Sequence, residues 1–210
     1  MIMQLIEQIR EELEKKDKTR EKGIIISREI VRDCRVAIQN IHKMELETAN
    51  SIIKNARNNM QKMVEILKDQ PDVYYSGFVE HAQQEFTECN VIYALVCGKS
   101  IPQPKELNVE YVAYLNGLGD VGGEIKRHIL DLIRHDMLEE GERYLSVMEE
   151  LYTGLMLFDY PDAITHGLRA KTDKLRMLLE SSRSELTSAL RQQKLENAIK
   201  SLENNLSSIK

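Results

Sequence analysis

Apolar residues recur at helical spacing along most of the chain, and no segment keeps the strict alternation of a half-buried strand. Residues 2 to about 68 hold that periodicity with no Pro and a single Gly, Gly23. This predicts one very long helix, or two or three with tight joints, ended by Gln70-Pro71-Asp72. Residues 73–97 read as the next helix, stopped by Gly98, and residues 99–106 as a loop carrying Pro102 and Pro104. Helical patterns resume over 108–136 and 139–158, the second stopped by Asp159-Tyr160-Pro161-Asp162, and again from 163 to about 206. The reading is an all-α bundle of six or seven helices in a single domain over residues 1–210, with 185–210 as a polar helical tail.

Composition agrees. Of 210 residues, 30% are charged and only 5% aromatic, and ten Gly with four Pro are too few for the turns of an all-β sandwich. No apolar run approaches the roughly 18 residues of a membrane span. The first sixteen residues read as a charged amphipathic segment rather than a signal peptide, so a cytoplasmic protein with no membrane partner is expected. Cys34, Cys89 and Cys97 are odd in number and lack CxxC spacing, which argues against a disulfide framework or a thiolate metal site and for buried small side chains. The remaining methionines, Met60, Met63, Met137, Met148, Met156 and Met177, read as core filler. Ser27 and Ser76 have no His/Asp partners at useful spacing, so no nucleophilic triad is expected.

A net charge of −5 does not mark a nucleic-acid binder, and an anionic partner would have to meet a local basic stripe. One exists. At about 100° per residue, Arg28, Arg32, Arg35, Gln39, His42 and Lys43 share one face of the first helical segment. Ile26, Ile30, Ala37, Ile41 and Met44 fall on the other. The guanidinium fork binds phosphate oxygens bidentately, so a row of arginines suits a polynucleotide backbone. The bland alternative is a solvated face with ion pairs to Glu29 or Asp33.

Acidic pairs at helical spacing are common in this chain, and context separates two of them. Glu85 occupies the gap in the apolar series Phe78, Ala82, Cys89, Ile92, Val96, with Glu88 one turn on. A carboxylate beside a core stripe costs several kcal/mol unless paired, protonated or metal-bound. Asp120 and Glu124 stand four apart among Gly117, Gly119, Gly122 and Gly123, a density that suggests close approach of another element. Lys126, Arg127 and His128 follow at once. Two helices each offering two carboxylates could hold a hard divalent cation such as Mg²⁺ or Mn²⁺.

Ser27-Arg28-Glu29-Ile30-Val31-Arg32-Asp33-Cys34-Arg35, then Gln84-Glu85-Phe86-Thr87-Glu88, then Gly119-Asp120-Val121-Gly122-Gly123-Glu124-Ile125 resemble the translin/Trax family. The segment from Tyr111 to Gly119 and the joint at Phe158, Tyr160 and Pro161 add to the likeness, which spans about residues 10–187. The resemblance implies a seven-helix protomer that assembles into a hollow, roughly octameric shell, with the basic helix lining the interior and holding RNA or single-stranded DNA. It implies that Glu85, Glu88 and Asp120 match the catalytic carboxylates of the Trax subunit, with Glu124 as an adjacent acidic ligand. It therefore implies a Trax-like, metal-dependent ribonuclease, with Lys126 or Arg127 adding positive charge near the substrate. The short 99–106 loop and the polar tail depart from the Trax pattern, and a homo-oligomer is the simpler assembly.

Other readings fit less well. An all-α nucleotide pyrophosphatase pairs ExxE with a later ExxD, and none follows Glu88. A ferritin-like di-iron bundle needs ExxH, which is absent. A noncatalytic RNA or single-stranded DNA-binding shell keeps the stripe and treats the acids as structural. His81, His128, His135 and His166 read as surface or satisfied histidines.

Overall fold

The structure, a computed structural model, describes residues 1–207 and is helical, with no strand among them. In chain order the helices are α1 (Ile2–His42), α2 (Leu46–Leu67), α3 (Pro71–Tyr74), α4 (Gly77–Val96), α5 (Pro104–Leu107), α6 (Tyr111–Arg134), α7 (Leu138–Leu155), α8 (Asp162–Thr165) and α9 (Leu168–Ser207). Six are long and three are single turns. No helix among the described residues is long and apolar enough to cross a membrane.

The long periodic stretch at the N-terminus is two helices, and the joint is made without Gly or Pro. Met44 adopts a left-handed φ of 60°. Its N–H donates to Ile41 O at 2.9 Å and the Glu45 N–H to Asn40 O at 2.9 Å, the paired bonds of a Schellman cap. Met44 therefore lies outside the helix and is exposed, not on the core face its periodicity suggested. Gly98, Asn108 and Asp136 end α4, α5 and α6 in the same way, with φ of 63°, 54° and 58°. Only Gly98 announces itself in the sequence.

The chain divides into two compact units, Met1–Val121 and Gly122–Lys210. In the first, α1 packs on α2 and α4. Ile30, Cys34, Ala37 and Ile41 of α1 are fully buried at 4-3-4 spacing, facing Ala49, Ala56, Met60, Met63 and Leu67 of α2. Helix α4 is buried on more than one face, and its buried polar residues are bonded: Thr87 Oγ1 donates to Gln83 O at 2.8 Å and Asn90 Nδ2 to Phe86 O at 2.7 Å. Gln83 also accepts the Glu110 N–H at 3.1 Å, while Tyr74 OH donates to Glu110 Oε1 at 3.0 Å. This circuit pins the start of α6 to α4. In the second unit α7 lies on α9, where Leu175, Leu179 and Leu186 meet a core that includes Leu145 and Met148. Met60, Met63 and Met148 are core residues as expected, but Met137, Met156 and Met177 are exposed. Met137 and Met156 cap the two ends of α7, outside its core stripe, and Met177 falls on the wet face of α9.

Both chain ends carry apolar stripes in the open. Ile2, Ile6, Ile9 and Leu13 are each at least half exposed, and Leu195, Ile199, Leu202 and Leu206 are similarly bare. Each set repeats at 4-3-4 spacing along its helix.

Candidate nucleic-acid interface and carboxylate cluster

Helix α1 presents its cations outward because the opposite face is the core. Arg28, Arg32, Arg35, Gln39 and Lys43 are exposed and His42 is half-buried. Lys43 is the residue that caps the helix. Arg32 leans on the adjacent Asp33, its Nε 3.7 Å from Oδ1. Asp33 is otherwise occupied by Asn55, whose Nδ2 donates to it at 2.6 Å. The ion pair expected of a merely solvated face is thus present at Arg32.

Arg35 reaches across to α4, where its Nη2 lies 3.4 Å from Glu85 Oε1. His81 Nε2 is 3.7 Å from the same oxygen, one turn earlier on α4. The Glu85 side chain is only 16% exposed, whereas Arg35 is 64% exposed. This is the compensation that a carboxylate in an apolar series requires. Behind it, the Cys34 thiol is held well above its ordinary pKa by a hydrogen bond with Cys89, then by burial, with the Cys89, Glu85 and Asp33 charges adding to the effect. Both cysteines are fully buried free thiols, as the sequence suggested, whereas Cys97, at the C-cap of α4, is only half-buried.

Close approach at the glycine-rich helix is real and local. A Cβ on Gly117 would lie 2.7 Å from Thr87 Cβ and 2.8 Å from Gln84 O, so the α6 backbone rests directly on α4 beside Glu85 and Glu88. Asp120 follows one turn along α6 and is half-buried, like Glu88. Three of the expected acids thus belong to one α4–α6 crossing in the first unit. No three of the chain's His, Cys, Asp and Glu side chains converge as a metal-holding group among the described residues. Glu124 is one turn further along α6, in the second unit. There Gly122 is packed against Leu175, whereas a Cβ on Gly123 would meet nothing within 4 Å beyond its own helix among the described residues, so that glycine marks no close approach. Lys126 is committed to α9: its Nζ donates to Ser181 Oγ at 2.8 Å and lies 3.2 Å from Glu185 Oε1. Arg127 is exposed. His128 is buried with its ring edge-on to Tyr144, at 4.5 Å between centroids.

A groove of about 640 Å³ runs along the cationic face and gathers residues the periodicity argument left out. Arg20, Phe78 and His81 line it with Arg28, Arg32 and Arg35. Arg20 stands eight residues before Arg28, about 80° around the helix, at the margin of the face the periodicity picks out. Phe78 and His81 arrive only through α1–α4 packing, which no local pattern encodes.

No family model matches the chain. MJ0175, an uncharacterized protein of Methanocaldococcus jannaschii, is 35% identical over 196 residues, covering 93% of this chain and 87% of that one. Among solved structures, AfC3PO in complex with duplex RNA and AfC3PO alone each match with a TM-score of 0.82 and 29% identity, over 89% of this chain and 97% of theirs. Apo-NeC3PO matches with a TM-score of 0.80 at 21% identity, over 88% of this chain and 96% of that one, a likeness of fold. The chain therefore shares a family with MJ0175, and its fold is the translin-type fold of these C3PO structures.

Proposed function

We propose that this protein is an RNA-binding, shell-forming member of the translin family and that it cleaves the RNA it holds, in the manner of a Trax-type subunit. The observation that carries the reading is the exposed row Arg28, Arg32, Arg35, whose last member ends on Glu85. A phosphate backbone laid along the row arrives at the first carboxylate of the α4–α6 crossing. The duplex RNA bound by AfC3PO, a protein of the same fold, supports RNA as the polyanion.

Carboxylates are hard oxygen donors of the kind that suit Mg²⁺ or Mn²⁺. Glu85, Glu88 and Asp120, with Glu124 one turn beyond, are the residues that would hold such an ion. A bound divalent cation would neutralise phosphate charge and acidify a water for hydrolysis. The chain's own residues do the rest. Arg28 and Arg32 fix the backbone, and Arg35, drawn toward phosphate, releases Glu85 from its ion pair. Gln39, His42 and Lys43 extend the contact along α1, and Arg127 adds positive potential; Lys126 would first have to leave Ser181 and Glu185. The bare apolar stripes at both chain ends support a homo-oligomer, for which eight chains is the proposed number.

A noncatalytic shell is the second reading, and Glu85 favours it: two basic side chains already serve its carboxylate. Incubation of labelled RNA with Mg²⁺, with Mn²⁺ or with chelator separates the two. Cutting that needs a metal and is lost in Glu88→Ala and Asp120→Ala, with binding retained, is the expected result. Binding without cutting under either metal makes the noncatalytic shell the right reading. Binding unchanged in Arg32→Glu/Arg35→Glu would remove the stripe as the RNA site.

A further inference from the structure

The last part of α9 carries an apolar stripe that its own unit does not cover. The helix is anchored by Leu175, Leu179 and Leu186, all buried. Leu190 and Gln193 continue the line of Leu186 at 4-3 spacing and are half-buried, and every described residue after Gln193 is exposed. Leu195, Ile199, Leu202 and Leu206 then repeat at 4-3-4 spacing, 47% to 66% exposed. At about 100° per residue these four lie about 180–240° around the helix from Gln193. The stripe therefore faces away from the surface on which α9 rests. It also lies beyond residues 10–187, the stretch that resembles the translin/Trax family.

The residue types at each heptad position say what covers it. With Leu195 and Leu202 at d, Ile199 and Leu206 fall at a, and Gln192 takes the preceding a position. Positions b, c and f are polar throughout, from Gln193 and Lys194 to Asn204. Leu at d with a β-branched residue at a favours two parallel strands, and a single polar a position fixes their register. The flanks agree. In a parallel pair Arg191 at g faces Glu196 at e of the other helix. An antiparallel pair would set e against e, placing Glu196 and Glu203 beside like charge. Glu196 Oε1 already accepts Gln192 Nε2 at 3.0 Å, and a carboxylate has room for a second donor. The segment is short, but it extends a helix already fixed by the core, so no nucleation cost stands against it.

From this pattern we infer that residues 192–206 pair with the same residues of a second copy as a parallel, in-register, two-stranded coiled coil. The inference rests on the homo-oligomer reading above and names the contact that one of its bare stripes makes. The N-terminal stripe suits such pairing less well: with Ile6 and Leu13 at a, its g and e positions set Glu12 against Asp17.

The test is site-directed disulfide capture in the full chain, on a Cys97→Ser background that leaves Cys34 and Cys89 buried. Leu195→Cys and Leu202→Cys are made separately, with Asn197→Cys at the outward f position as the control. Each is treated with diamide, and the covalent dimer is read on a non-reducing gel. Disulfide formation demands close, well-aligned Cβ atoms, so both d-position variants should be captured at least about fivefold faster than Asn197→Cys. Adding Ile199→Asp should abolish capture at both, with helix content unchanged. Capture at only one of the two d positions means antiparallel strands and overturns the proposal. So does capture of Asn197→Cys at an equal rate, or no capture at either d position. If Leu195→Cys is captured only in chains that also carry Ile6→Cys, the N-terminal stripe is the partner and the proposal fails. Light scattering of the wild type separates the two readings. The mass of a single chain would remove the homo-oligomer and the coiled coil together, whereas an oligomer without d-position capture removes the coiled coil alone.

Discussion

Two glycines six residues apart on α6 should respond to the same substitution with opposite signs. In Gly117→Ala the new Cβ would sit 2.7 Å from Thr87 Cβ and 2.8 Å from Gln84 O. Ordinary carbon–carbon contact is about 3.5–4.0 Å, so the overlap is near 1 Å. Neither neighbour can yield cheaply. Thr87 is fully buried with its hydroxyl bonded to Gln83 O at 2.8 Å, and Gln84 O is helix backbone. Overpacking of this kind costs about 1–3 kcal/mol, and the rigid partners place it at the upper end. Against that stands a helix-propensity gain of about 1 kcal/mol, leaving a net loss near 2 kcal/mol. Gly123→Ala meets nothing within 4 Å among the described residues and keeps the whole propensity gain. For a chain of this size 1 kcal/mol moves the melting temperature by about 2–4 °C. Thermal unfolding at one fixed protein concentration should therefore show Gly117→Ala lowered by about 4–8 °C and Gly123→Ala raised by about 2–4 °C. Shifts in the same direction would refute the claim that α6 rests on α4 at Gly117. Because Asp120 rides one turn beyond, Gly117→Ala should also slow the proposed RNA cleavage while leaving RNA affinity within about twofold.

Other outcomes follow from the same contacts. Tyr74 is held in its phenol form to about pH 12 by burial and by the Glu110 carboxylate it donates to. The unfolded chain loses that proton near pH 10, so stability should fall as pH rises from about 10 to 12, and Tyr74→Phe should flatten the slope in a pH series of urea midpoints. Ile6→Asp/Ile9→Asp places charge on an exposed apolar stripe, and light scattering should show a lower solution mass with helix content unchanged. Arg32→Ala should reduce the magnitude of the log Kd against log salt slope by about 0.7–0.9, the loss of one phosphate contact, as read by anisotropy titrations between low and moderate salt.

Much of this protein was legible without coordinates. Helical periodicity, scarce Gly and Pro and the breaks at Pro71 and Gly98 specify an all-α chain, because backbone preference and the 3.6-residue repeat are local properties. The face bearing Arg28, Arg32 and Arg35 was equally readable, since a helix that buries Ile30, Cys34 and Ala37 must turn its other side to water. The misplaced Glu85 was visible as a gap in an apolar series. Its partners were not: Arg35 is fifty residues away and reaches it only because α1 lies on α4. The left-handed caps at Met44, Asn108 and Asp136 were hidden for a related reason. Their strain is tolerated because the flanking helices and their core contacts over-determine the joint. Tertiary packing also decided which glycines matter, seating Gly23 on Phe78 and Gly117 on Thr87 while leaving Gly123 open. The groove that joins Arg20, Phe78 and His81 exists only between two packed helices, so no stretch of sequence contains it.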